Sequence, residues 1–140
     1  MSNTSDLRDG PYFIWSEGHT PLNLCGSPPE QPVVAFNDGG RGFNVRKING
    51  PPNTYLLSEG HTSFIQDVTG NVVLDAKPNT QPQLWVITPH GEDKYTVVKE
   101  GTILAWTDPG GPAGCERELH LTELNPIRPE VLFEFRPIFE

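Results

Sequence analysis

The sequence predicts an all-β fold built from three copies of one four-stranded unit. Two observations carry this. The pentapeptide Ser-Glu-Gly-His-Thr occurs twice, at 16 to 20 and again at 58 to 62. A third, looser copy follows, so Glu17-Gly18, Glu59-Gly60 and Glu100-Gly101 are spaced 42 and 41 residues apart. The composition agrees: 15 prolines and 14 glycines in 140 residues favour short strands and turns over long helices.

Each unit opens with a tyrosine, an apolar or β-branched run and a glycine turn: "YFIWSEGHT" from Tyr12, "YLLSEGHT" from Tyr55, "YTVVKEGT" from Tyr95. That is a strand signal closed by a turn signal, and it accounts for the repeated pentapeptide as the end of a first strand. A second apolar run follows in "PLNLCG", "SFIQDV" and "ILAWTD". The third is "VVAF", "NVVLDA" and "LHLTEL", and the fourth is "GFNVRKI", "QLWVITP" and "LFEFRPI". The fourth runs place Phe43, Trp85, Phe133 and Phe135 where a barrel needs a large inward side chain. The third unit is stretched by "PGGPAGCERE" (109 to 118), which lengthens one hairpin loop. "LTELNPIRPE" is the nearest approach to a helix, and two prolines break it.

Twelve strands in three repeats of about 42 residues are the pattern of a β-trefoil, in which first and fourth strands close a six-stranded barrel and the middle pairs cap it. Three propeller blades would be too few to close a ring, and a plain sandwich would not explain the threefold register. The expected units lie near 10 to 50, 53 to 90 and 93 to 139, in one domain spanning 1 to 140 with a polar arm at 1 to 9. The chain has one domain's worth of core, and a monomer is expected.

The formal net charge of −8 and pI near 4.9 leave no broad attraction for phosphate, which argues against nucleic acid and anionic membrane as partners. The opening "MSNTSDLRDG" lacks the apolar core of a signal peptide, which predicts a cytoplasmic location, or else an export route that the sequence does not show. Two cysteines, Cys25 and Cys115, make no disulfide framework. Reduced, partly buried thiols are the expectation, with one bridge between distant hairpins as the alternative.

No active site stands out. Of the four histidines, His19, His61, His90 and His120, the first two occupy equivalent repeat positions, and neither of these has a second ligand at metal spacing. No metal or cofactor is expected. No serine sits in a nucleophile elbow, and "GGRG" (39 to 42) precedes no helix that could receive a phosphate. A non-enzyme is expected, with function carried by loops on a rigid scaffold. Four loops qualify. "CGSPPEQP" (25 to 32) carries Ser27, Pro28, Pro29 and Glu30; "NDGGRG" (37 to 42) carries Gly39, Gly40 and Arg41. "PGGPAGCERE" carries Arg117, and "NPIRPE" (125 to 130) carries Asn125, Pro126, Ile127, Arg128 and Pro129. Proline fixes φ and lowers the entropy lost on binding, so such a loop suits occupation of a protease cleft.

The opening "GPYFIW", the "QPQLWVI" closing the second unit, "DKYTVVKEG" and the terminal "FEFRPI" resemble fungal β-trefoil protease inhibitors, especially the small mushroom serine protease inhibitors of the mycospin type, relatives of the mycocypins. The resemblance covers nearly the whole chain. It implies inhibition of a trypsin-like protease through one loop carrying Arg or Lys, either after the second strand or before the twelfth. On that basis the loop 125 to 130, with Arg128 as the anchor, is the first choice, and the loop 25 to 32 is the second. Pro129 after Arg128 either hinders the approach to the catalytic serine or makes the loop resist cutting. Related mushroom trefoils inhibit papain-like proteases through loops matching "EGHTP" and "NDGGRG" here, which makes Gly39, Gly40 and Arg41 an alternative site. The rival class is a ricin-B-like lectin, for which Asp67, Asn71 and Gln83-Leu84-Trp85 resemble one sugar-binding unit.

Overall fold

A computed structural model describes residues 7–16, 20–36, 40–60, 63–76, 81–91, 93–124 and 128–138. Among these residues there are twelve β-strands, one 3-10 turn and no α-helix. The strands are β1 (Gly10–Ser16), β2 (Leu22–Leu24), β3 (Glu30–Ala35), β4 (Gly42–Lys47), β5 (Thr54–Glu59), β6 (Ser63–Val68), β7 (Asn71–Asp75), β8 (Trp85–Pro89), β9 (Lys94–Lys99), β10 (Leu104–Thr107), β11 (His120–Glu123) and β12 (Phe133–Pro137). The turn, Pro129–Val131, precedes β12.

The pairings close a ring. β1 pairs with β4, β4 with β5, β5 with β8, β8 with β9, β9 with β12, and β12 returns to β1, all antiparallel. These are the first and fourth runs of the three sequence units. The middle runs pair as the hairpins β2–β3, β6–β7 and β10–β11. The period-2 alternation of a strand puts two large residues from each wall strand inside. They are Tyr12 and Ile14, Phe43 and Val45, Tyr55 and Leu57, Trp85 and Ile87, Tyr95 and Val97, and Phe133 and Phe135, all in or packed against one core. The expected inward positions Phe43, Trp85 and Phe133 are each no more than 1% exposed.

The hairpins cover the barrel with Leu22, Val33 and Ala35, Ile65, Val72 and Leu74, and Trp106 and Leu119. Trp106 sits edge-on between Trp85 and Phe133, with ring centroids 5.6 and 5.8 Å away. The Trp85 indole N–H donates to the Ile65 carbonyl at 2.9 Å, so this core tryptophan also ties a wall strand to a hairpin.

The stretched loop of the third unit does not hang free. Its returning segment joins β3: Leu119 donates to Val33, Ala35 donates to Arg117 and Gly114 donates to Ala35. Here Cys115 meets Cys25 in a disulfide, across a sequence separation of 90. This corrects the expectation of two reduced thiols. Nothing local brings the cysteines together; the backbone pairing between the third-unit loop and the first-unit hairpin does.

Candidate functional site

Of the four candidate loops, three carry an arginine, and the structure treats the three guanidinium groups differently. Arg41, just before β4, keeps an exposed side chain but is held by an ion pair to Glu59 at the end of β5. Its own N–H donates to the Leu22 carbonyl at 3.1 Å. Gly40 before it has φ +73, a conformation that favours glycine. Gly39 lies outside the described residues, as do His19 and His61.

Arg117 turns inward. Its Nε and Nη2 donate to the two carboxylate oxygens of Asp108 at 2.8 and 2.6 Å, and Nη1 donates to the Gly111 carbonyl at 3.0 Å. Both side chains are nearly enclosed, at 11% and 8% exposed. This forked pair is the geometry a guanidinium and a carboxylate prefer, and it folds the loop 109 to 118 onto itself. Arg117 is therefore structural and offers no cation to a partner.

Burial by itself would raise the Asp108 carboxyl, but the bonds from Arg117 and the Gly110 amide, with the Arg117 charge, hold it below its ordinary range. A depressed folded value means stabilisation that is present above the unfolded pKa and lost as pH falls through the folded one. Urea midpoints of the native protein should accordingly drop below about pH 4. In Asp108→Asn this component should be absent and the midpoint at neutral pH already lower. Identical acid profiles for the two proteins would show that the pair contributes nothing.

Arg128 differs from both. It is exposed, its backbone is extended at φ −126° and ψ 162°, and no described residue hydrogen-bonds to or ion-pairs with its guanidinium. Pro129 then starts the 3-10 turn, where its fixed φ suits a first helical position. Val131 donates to the Arg128 carbonyl at 3.0 Å and Leu132 to the Pro129 carbonyl at 3.1 Å. The chain is thus extended at Arg128 and coiled directly after it, because these two bonds close the turn.

Both ends of this loop are anchored. On one side Val131 is 4% exposed, and the Asp108 N–H donates to the Glu130 carbonyl at 2.9 Å. On the other, Leu124 donates to the Ile103 carbonyl at 2.8 Å. Ile103 is the most exposed large apolar side chain among the described residues, at 58%. Asn125, Pro126 and Ile127 lie outside the described residues. Sequence reasoning missed Ile103, which reads as an ordinary hairpin residue.

The loop after β2 is shorter than expected. Ser27, Pro28 and Pro29 are exposed, but Glu30 already belongs to β3, opposite Asp75, and Pro32 pairs with Val73. The exposed part is therefore 26 to 29. It is closed at its base by the Cys25 N–H bond to the Pro32 carbonyl at 3.0 Å, and Cys25 is bridged to Cys115.

Asp67 and Asn71 flank the tight β6–β7 turn. Asp67 Oδ1 accepts from the Gly70 N–H at 2.8 Å, and Oδ2 accepts from Lys99 Nζ at 2.7 Å. Asn71 stands opposite Val68 and His120. Gln83 donates to the Leu84 carbonyl at 2.8 Å, and the neighbouring Gln66 side chain spans to residues 81 and 83. Gln66 and Gln83 thus serve the backbone just before Trp85. Among the described residues no group of three His, Cys, Asp or Glu could hold a metal ion, and no helix is long and apolar enough to cross a membrane.

No family sequence model matches the chain, and neither does any curated protein sequence. Solved structures do match. A proteinase inhibitor from Coprinopsis cinerea superposes with a TM-score of 0.79 at 18% identity, over 95% of this chain and 100% of that one. The designed three-fold symmetric protein ThreeFoil gives 0.74 at 12%, over 93% and 100%. A Polyporus squamosus lectin, solved with the influenza-binding epitope Neu5Aca2-6Galb1-4GlcNAc, gives 0.67 at 17%, over 94% of this chain and 50% of that one. At such identities the likeness is one of fold.

Proposed function

We propose that the chain is a β-trefoil protease inhibitor whose loop 125 to 130 enters the active-site cleft of a trypsin-like serine protease, with Arg128 as the anchor. The observation that carries this is the contrast among the three loop arginines: Arg41 and Arg117 are held by Glu59 and Asp108, while Arg128 stands exposed and pairs with no described residue, between two anchored loop ends. A guanidinium suits a specificity pocket floored by a carboxylate, because the forked pair is directional. Anchored ends reduce the conformational entropy that docking removes. A proteinase inhibitor among the proteins of the same fold agrees with this reading.

The test is Arg128→Ala assayed against trypsin, with the thermal midpoint followed in parallel. Truncating an anchor of this kind costs at least about 2 kcal/mol of binding, more than an order of magnitude in the inhibition constant. The midpoint should stay put, because an exposed side chain that bonds to no described residue contributes little to stability. Equal inhibition by the two proteins would reduce Arg128 to a surface arginine and move the activity to another loop.

The loop 26 to 29 supports a second reading. Its base is clamped by the disulfide, and Ser27, Pro28 and Pro29 are presented to solvent without a basic residue. A target engaged there would have a pocket for small or apolar side chains. The lectin reading is weaker. Both carboxylate oxygens of Asp67 are already engaged, by Gly70 and by Lys99. Disulfides persist in oxidising compartments, so the Cys25–Cys115 bridge favours a working location outside the reducing cytosol, contrary to the cytoplasmic expectation.

A further inference from the structure

We propose that a cleft on the outer wall of the barrel, formed by β4, β5 and β6, binds a small organic carboxylate with an apolar body. None of its lining residues belongs to the loops discussed above, and the proposal does not rest on the inhibitor reading.

Strand alternation creates the site. On β4, Phe43 and Val45 point into the core, so Asn44 and Arg46 stand on the outer face; on β5, Tyr55 and Leu57 point inward, so Leu56 and Ser58 face outward. The register sets Arg46 opposite Leu56, Asn44 opposite Ser58, and Ser58 opposite Phe64 of β6. These residues, with Gly60, line an open cleft of about 350 Å³. That volume lies at the small end of the range for ligand sites, which combine apolar walls with a few convergent polar groups. Here Leu56 and Phe64 are the apolar walls, Asn44 and Ser58 the neutral hydrogen-bonding groups, and Arg46 the charge.

The state of Arg46 gives the ligand its class. The chain holds 18 acidic residues against 10 basic ones, so carboxylates are plentiful. Arg41, Arg117 and Arg136 have each taken one: Glu59, Asp108 and Glu134. Arg46 has no ion pair or hydrogen bond to any described residue. Glu59, on the neighbouring strand, is committed to Arg41. The cleft therefore presents, beside an apolar wall, a guanidinium fork that no described residue occupies. A carboxylate completes the fork bidentately, and an attached ring or branched chain removes Leu56 and Phe64 surface from water.

The experiment is an amide chemical-shift titration of the isotope-labelled full chain with phenylacetate, and with phenylacetamide as its neutral isostere. Saturable shifts are expected with phenylacetate at the amides of Asn44, Arg46, Ser58, Gly60 and Phe64. Phenylacetamide should bind about tenfold more weakly or worse, since it lacks the charge-assisted bonds. Arg46→Gln should weaken phenylacetate by a similar factor and leave the rest of the spectrum unchanged, because Arg46 is exposed and its side chain bonds to no described residue. Arg46→Lys should fall between, keeping the charge but not the fork. The proposal is overturned by the absence of saturable shifts up to the solubility of phenylacetate, by equal affinity for the amide, or by an unaltered titration in Arg46→Gln.

Discussion

Trp85→Ala is expected to destabilise the protein by about 3–5 kcal/mol, the range for truncating a buried aromatic. Three features of the site place it in that range. Trp85 is fully buried, so the indole volume becomes a cavity that the closed six-stranded ring cannot collapse into. Its loss removes the edge-on contact with Trp106, which itself leans on Phe133, so the packing of a capping hairpin loosens with it. It also leaves the Ile65 carbonyl without the indole donor, and an unsatisfied buried polar group adds its own penalty. Urea unfolding, followed by circular dichroism in the native protein and the variant, measures this directly. Ile103→Ala is the control: with a side chain largely in water, it should lie within about 0.5 kcal/mol of the native protein. If both variants unfold at the same urea concentration, Trp85 is not the keystone that the core geometry makes it.

Replacing both cysteines, Cys25→Ser with Cys115→Ser, should cost about 2–4 kcal/mol, because the bridge restricts the unfolded chain over a long loop. The residues joined are 90 apart, which places the bridge toward the long end of that dependence. The fold should survive. The same two segments are also held by the Leu119, Ala35 and Gly114 backbone bonds and by the bridge between Val34 and Glu118. For a chain of this size the thermal midpoint should fall by on the order of 10 °C. The native protein should show no free thiol before reduction, and after reduction it should unfold with the double variant. Two titratable thiols in the native protein, or a double variant as stable as the oxidised chain, would remove the bridge from the account. The loop 26 to 29 would then keep only the Cys25 N–H bond to the Pro32 carbonyl at its base.

Much of the architecture was legible in the sequence because it repeats. The Glu-Gly steps mark the ends of β5 and β9 at the spacing expected, and the large fourth-run residues Phe43, Trp85 and Phe133 all face the core. Strand periodicity is a local property: alternate side chains point to opposite faces wherever the strand lies. A barrel interior demands large apolar residues at matching heights, so the pattern recurs three times and can be read along the chain.

The site was legible only as a set of candidates. Arg41, Arg117 and Arg128 look alike in sequence, each in a loop rich in glycine or proline. The presence of an arginine was local information; its state depended on which carboxylate the fold brought within reach. Glu59 reaches Arg41 because β4 lies beside β5, Asp108 faces Arg117 because the long loop doubles back, and no described acid comes to Arg128. The Cys25–Cys115 bridge and the outer cleft at Arg46 have the same origin, since each joins groups from strands or loops that only pairing makes adjacent. Periodicity along the chain thus determined strands, faces and core. Charge pairing, disulfide and cleft were decided by tertiary structure, because their energies depend on distances between segments that sequence spacing does not set.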